Sequence, residues 1–367
     1  MPNPEDILTP DALARDLAAR DLTDPTQGPH AVQRVLDDAV KALARAWRCE
    51  VIPHRASPLV SVAEHYGRLH DAPGEPARWA GAELLLRTRA AALVPSGLAR
   101  LAAMPAADAL LVCPGVVFRA VAAEKLRARE GHELELWRVR RGAPLGLREV
   151  AEAIGAVARA VLPGVTVSTV PATSPWLADA RQVDVRVRGE WVTVGVAGVV
   201  GPALLAEGGL PADASGVALS LDLDRVVALA KGLEDVALLR SRDPRVAAQM
   251  LDLTPYVPAA DAPVRVCQTL DEVRAAIDDI DARVVGLLAE RRAYVLQAGR
   301  FKASPETVRV PAREAQVISN VKALAYRAGI EPDLVEALYR QMIDGFVRIE
   351  VARHPSNAEA SRLRARG

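Results

Sequence analysis

Four side chains in the last hundred residues have types and spacings that could do chemistry: Arg274, Arg291, Lys302 and Glu350. Arg291 and Lys302 stand eleven residues apart, close to three helical turns. Both therefore project to one side, and their long stems can converge on an anion between them. Arg274 precedes Arg291 by seventeen residues, about 25 Å of helical rise, too far for the two to clamp one metabolite from a single helix. If both bind it, one belongs to a second copy of the chain. Glu350 follows Leu338, Met342 and Phe346 at steps of four, which turns a carboxyl group toward an apolar face. Partial burial there would favour the neutral carboxyl, a hydrogen-bond donor. A solvated basic face and a terminal Glu reaching water are the alternatives at this point.

The elements that must position these groups are legible in the hydrophobic spacing. Leu270, Val273, Ile277, Ile280, Val284, Leu287, Leu288 and Val295 recur at steps of three and four, which predicts one helix of about eight turns. Ala312 to Arg327 and Pro332 to Ala352 give two more, with Gly329 suited to closing the first and Pro332 to opening the second. A stripe as long as the first helix needs a partner of similar length, and a homodimer through this helical domain is the simplest one. The domain is expected over residues 267–354, with a linker at 259–266, where prolines and small residues interrupt the periodicity, and a fraying polar tail at 355–367.

Residues 1–258 read as an α+β domain. Pro29 to Trp47 is patterned as an amphipathic helix, and CEVIPH, ALLVCPGVVF, ELELWRVRR, RQVDVRVRG and EWVTVGVAGVV read as strands, with a turn at Arg188, Gly189 and Glu190. Their alternation favours an antiparallel sheet with helices on one side. A chain of 367 residues fits two domains, and half its residues are apolar with a quarter charged, an ordinary globular composition. With 46 basic and 46 acidic residues there is no general electrostatic attraction to nucleic acid or anionic membranes. No run approaches the roughly 18 apolar residues of a membrane span. Three scattered cysteines and six histidines show no metal or disulfide spacing, so no metal is expected and a reducing cytoplasm fits.

The string LDEVRAAIDDIDARVVGLLAERRAYVLQAGRFKAS, continued by VPAREAQV and AGIEPDLVEALYRQMI, resembles the all-helical chorismate mutases and their sister family, the isochorismate pyruvate lyases. The resemblance covers nearly the whole helical domain. It implies that Arg274 of one chain binds a carboxylate in the partner's site, that Arg291 binds the second carboxylate, and that Lys302 reaches the ether oxygen. Two guanidinium forks and a point charge suit a dianion. The rearrangement needs no nucleophile, base or cofactor, only the reactive conformer and stabilised charge on the breaking ether oxygen. Glu350 takes a position where the family has Gln or Glu, and it must carry a proton to donate to that oxygen, so the rate should fall as pH rises and the proton is lost. Val310 replaces the acidic residue usual in the mutases and is lyase-like, as is the RFKAS loop; Arg313 and Glu314 occupy mutase positions. The balance favours chorismate rearranged to prephenate, with isochorismate cleaved to salicylate and pyruvate as the alternative.

Residues 25–240 resemble the catalytic core of class II aminoacyl-tRNA synthetases, specifically the α subunit of the phenylalanine enzyme. QGPHAVQRVLDDAV, LLLRTRAAALVP, VVFRA with GHELELW, and SGVALSLDLDRVVAL match its motifs in order. Arg119 and Arg225 stand at the two ATP-phosphate positions and form a candidate vestigial anion site. Around them, Arg89, Ala90 and Ala91 replace residues that receive the amino acid, and Ser220 and Asp222 replace glycines that admit the adenine. The resemblance thus implies the fold without aminoacylation, and a regulatory metabolite is a plausible ligand. A protein in which both halves only bind or regulate is the reading from another class; intact Arg274, Arg291 and Lys302 speak against it.

Overall fold

Runs of β-branched and aliphatic residues at every second position build the first half, and long stripes at helical spacing build the second. The computed structural model describes residues 6–69, 76–120, 124–187, 189–258, 266–302 and 307–353, and the chain divides into two compact units, Met1–Tyr256 and Val257–Gly367. Among the described residues no helix is long and apolar enough to cross a membrane.

The strands of the first unit are β1 (Glu50–Pro53), β2 (Leu59–Ser61), β3 (Arg78–Trp79), β4 (Leu84–Leu86), β5 (Asp108–Phe118), β6 (Glu130–Arg141), β7 (Thr166–Pro171), β8 (Leu177–Val187), β9 (Glu190–Val200) and β10 (Ala214–Asp222). Its helices are α1 (Pro10–Leu17), α2 (Ala31–Trp47), α3 (Val62–His65), α4 (Val94–Ala102), α5 (Leu147–Val161), α6 (Pro202–Glu207), α7 (Leu223–Lys231) and α8 (Pro244–Gln249). Seven strands form one sheet in the order β1-β5-β6-β10-β9-β8-β7, antiparallel throughout except for parallel β1 and β5. A small second sheet runs β2-β4-β3. Gly189, at φ +89, turns β8 into β9 as the sequence suggests, while Arg188 of that turn lies outside the described residues.

The pleat sends Leu110, Val112, Leu134 and Leu136 to one face, where α2, α5 and α7 cover them with Val35, Leu43, Val157 and Val227. It sends Leu111, Cys113, Trp137 and Val139 to the other, where Leu98 and Leu101 of α4 and Leu204 and Leu205 of α6 cover them. Helices therefore lie on both faces and not on one as the strand patterning suggested. The covering helices of the second face have nine and six residues, too short to show a periodic signature. In the register of β6 and β10, Ser220 stands opposite Glu135 and Asp222 opposite Glu133, which gathers four polar side chains on that second face.

The second unit is three helices: α9 (Leu270–Ala298), α10 (Pro311–Ala328) and α11 (Pro332–Ala352). Thr269 caps α9 by accepting from the Glu272 amide. Gly329 closes α10 in the left-handed conformation at φ +72, and Pro332 opens the next helix, where its missing N–H is harmless. Ile318, Val321, Ala325 and Ala328 of α10 and Ile343 of α11 are buried, and the two helices pack against each other. Helix α9 has no buried residue in the single chain: Ile277, Ile280, Val284 and Leu287 all remain exposed. Residues 259–265 of the expected linker and 355–367 of the expected tail lie outside the described residues.

Candidate active site

Each functional side chain of the second unit is delivered by a helix end or a helix face. Arg291 comes from the last third of α9, where its guanidinium lies 4.9 Å from the centroid of the Phe346 ring on α11. The chain leaves α9 through the turn Gly299–Phe301, which sets Lys302 beside the end of α11. Gly299 sits so close to this helix that an added Cβ would meet the Glu350 carboxyl at 3.4 Å. Lys302 Nζ donates to Glu350 Oε1 at 2.7 Å and to the Val308 carbonyl at 2.9 Å. Glu350 is 5% exposed, so the spacing that turned it toward the apolar face is met and its charge is matched by the ammonium.

Val310 is the N-cap of α10, and Arg313 and Glu314 fall in the first turn. With Arg291, Lys302, Tyr294, Phe346 and Glu350 they line one cavity of about 400 Å³, a size suited to a small metabolite. The cavity thus gathers three cations and two carboxylates against an apolar wall of Val295, Val317, Ile343 and Val347. Arg274 is elsewhere: its side chain is 66% exposed and donates to Asp271 at 3.1 Å, one turn along the same helix.

Arg309 is a residue the sequence reading missed. Its Nε donates to Glu314 Oε1 at 2.9 Å, and its Nη2 bonds Asp344 on α11, so it ties the entry of α10 to the neighbouring helix. The partner is thirty-five residues away, beyond any local pattern. Glu314 is therefore held by an arginine of its own chain.

The first unit has a cleft of about 630 Å³ over the second face of the sheet, lined among others by Arg89, Arg119, Glu133, Glu135, Trp176, Asp222 and Arg225. Arg119 Nη2 donates to Glu133 Oε1 at 2.6 Å and lies 3.5 Å from Asp222 Oδ2, and its Nη1 donates to the Ala128 carbonyl. A Cβ at Gly131 would come within 2.1 Å of that guanidinium, so only glycine lets Arg119 lie there. Arg225 donates to the Thr193 and Leu126 carbonyls at 2.6 and 3.3 Å. The two candidate phosphate-binding arginines are thus committed to internal acceptors. Burial pushes Asp222 up to about 6 and Glu135 to about 7. Among the described residues no cluster of His, Cys, Asp and Glu could hold a metal ion.

A mixed sheet covered on both faces, followed by a three-helix unit with a cationic cavity, defines a two-part chain whose parts each have relatives. Residues 17–250 match the model of the class II tRNA synthetase core domain of the phenylalanine type, and residues 273–351 match that of type II chorismate mutase. An isochorismate pyruvate lyase of Pseudomonas aeruginosa is 34% identical over 85 residues, 23% of this chain and 84% of that protein. A 4-amino-4-deoxychorismate mutase of Streptomyces pristinaespiralis is 31% identical over 97 residues, 26% of this chain and 75% of that protein. Among solved structures, a pyrrolysyl tRNA synthetase of Desulfitobacterium hafniense aligns at 17% identity with a TM-score of 0.41, over 57% of this chain and 73% of that one. The chain belongs to the class II synthetase core family in its first unit and carries a chorismate mutase type II domain in its second.

Proposed function

We propose that the second unit rearranges chorismate to prephenate within a homodimer, and that the first unit binds a regulatory metabolite without aminoacylating tRNA. The observation that carries this reading is the cavity where Arg291, Lys302, Arg313 and Glu350 meet against an apolar wall. Arg291, with Arg274 of a second copy, suits the two carboxylates of the dianion. Lys302 supplies positive charge to the breaking ether oxygen, and the apolar wall keeps that charge effective by excluding water. In the free chain Glu350 accepts from Lys302; a donating role for Glu350 requires substrate to part this pair and the carboxyl to hold a proton. The exposed stripe of α9 and the outlying Arg274 support a second copy that covers the one and receives the other.

Isochorismate cleavage to salicylate and pyruvate is the second reading. Two observations favour it: apolar Val310 at the mouth of α10, and the neutralisation of Glu314 by Arg309, which removes a free acceptor for a ring hydroxyl. The deciding experiment offers the purified protein chorismate and isochorismate and scores prephenate against salicylate plus pyruvate. Amino-acid-dependent pyrophosphate exchange is run beside it. Exchange in the absence of either turnover would overturn the whole proposal.

A further inference from the structure

The cations of the second-unit cavity are placed by two different means. Glu350 holds Lys302 by an ion pair at 2.7 Å, and Glu314, the other carboxylate lining the cavity, is bonded to Arg309 at 2.9 Å. Arg309 also takes Asp344, the acid of α11 two residues before Phe346. Each of these acids is thus allotted to another cation, and among the described residues Arg291 forms no hydrogen bond or ion pair. The contact that places its guanidinium is the Phe346 ring, 4.9 Å away at the centroid.

Ile343, Phe346, Val347 and Glu350 line the cavity from one face of α11, at steps of three and four. Phe346 and Glu350 are four residues apart, about 6 Å of helical rise, so one turn of α11 carries a ring that seats Arg291 and a carboxylate that seats Lys302. The two seats differ in what they leave free. The carboxylate engages the ammonium donors directly, whereas a ring face takes the guanidinium without taking an N–H. An arginine with no seat would range over its rotamers and be ordered anew at each binding event.

We propose that Phe346 is a positioning residue for Arg291: its ring fixes the guanidinium at the cavity wall with the N–H fork unused, so that a substrate carboxylate meets donors already oriented. This rests on the reading of the cavity as the site where the second unit turns over a dianion. Phe346 acts through Arg291, which holds the carboxylate in ground and transition states alike, so its effect falls on KM. Glu350 and Lys302, one turn further on, act on the breaking bond in the proposed reaction, and damage to them falls on kcat.

The test compares Phe346→Leu, which removes the ring but keeps apolar bulk, with Phe346→Tyr, which keeps the ring, in the full chain. Kinetics on whichever of chorismate and isochorismate the native protein turns over should show KM raised about five- to tenfold by Phe346→Leu, with kcat within about twofold. Phe346→Tyr should leave both within about twofold of native. NMR of the arginine Nε–H groups gives a readout independent of turnover. In the ligand-free protein the Arg291 signal, identified by its absence in Arg291→Lys, should be shifted upfield by the ring, keep that shift in Phe346→Tyr, and move to the position of a free arginine in Phe346→Leu. An unchanged KM in Phe346→Leu, a fall in kcat in place of the rise in KM, equal impairment by Phe346→Tyr, or an Arg291 signal indifferent to the ring would each overturn the inference. If neither compound is turned over, the functional reading of the second unit fails instead, and the Arg291 signal still decides whether Phe346 seats it.

Discussion

In the first-unit cleft Arg119 lies within 2.6 Å of Glu133 and Arg225 within 2.6 Å of a backbone carbonyl, whereas in the second-unit cavity Arg291 rests on the face of Phe346 and Arg313 is exposed at a helix start. Both spaces contain several arginines and carboxylates. The difference is whether the donors are already spoken for. A guanidinium bonded to acids and carbonyls of its own chain must give those bonds up before it can hold a ligand, and the buried acceptors it leaves are then unsatisfied. One resting on an aromatic face keeps its in-plane N–H groups available. Lys302 is the intermediate case, since it is paired with Glu350 but placed at the cavity wall.

The widest separation between the two sites comes from Lys302→Ala. Loss of one preorganised donor at a developing anion lowers kcat by about 10²- to 10³-fold. Steady-state kinetics on the preferred substrate measures it, and a loss under threefold would remove Lys302 from the reaction. The same variant tests the shared site. Lys302→Ala and Arg274→Ala chains, each inactive alone, should recover about a quarter of the native rate when refolded as an equal mixture, because half the dimers then carry one intact site. No recovery would mean that Arg274 acts within its own chain.

On the other side of the comparison, Arg119→Met should damage stability more than any ligand property. It leaves Glu133 and Asp222 facing each other across adjacent strands without their shared cation. Breaking a buried pair from one side costs about 3 to 5 kcal/mol. Urea unfolding at pH 7.5 should show a loss in that range, with part of it recovered by adding Asp222→Asn. A loss below about 1 kcal/mol would mean that the arginine is not buried in the way described.

How far the sequence foretold this contrast differs between the units. The long apolar stripes of α9, α10 and α11 place the helices within a residue or two, because a stripe of five turns or more leaves little ambiguity of period. Spacing puts Arg291 and Lys302 on one side and turns Glu350 toward an apolar face, but only the family resemblance places the three in one site, and α9 ends at Ala298, before Lys302. In the first unit, Glu133 and Glu135 alternate with Leu134 and Leu136 and read as the watered face of a strand. Their face is instead covered, because the short helices α4 and α6 and the residues around Trp176 close over it. Strands β7 and β10 and the three strands of the small sheet carry no such legible pattern, and the commitment of Arg119 is invisible in sequence because it depends on the register of β6 against β10 and on a glycine at 131. Charge inventory is written in sequence; charge pairing across strands is set by tertiary register.

The buried acids of the same cleft have a pH signature. Glu135 and Asp222 titrate in the folded chain near 7 and 6, above their ordinary 4.5 and 3.8, so between those values the folded state holds protons that the unfolded state has released. Their contribution to stability is therefore lost as pH rises through 6 and 7. Burial lowers His30 to about 4 and His65 to about 3, which acts in the opposite sense but only below 6.5. From pH 6.5 to 8 the first unit should lose stability, and Glu135→Gln should flatten that loss. Urea midpoints at four pH values measure it, and equal slopes in the two proteins would refute the assignment of the proton to Glu135.

The smallest effect sharpens the second site. Arg309 holds Glu314 and Asp344 through ion pairs that are open to water, which contribute little to stability. Arg309→Gln should therefore leave the thermal midpoint within about 1 °C of the native value. It frees the Glu314 carboxylate at the rim of the cavity proposed to hold a dianion, and the added repulsion would act on bound substrate and transition state alike. KM should rise about two- to fivefold with kcat unchanged, the pattern of lost uniform binding. If kcat falls instead, Glu314 must point at the reacting atoms, and Arg309 would be setting the geometry of the reaction and not merely the charge of the entrance.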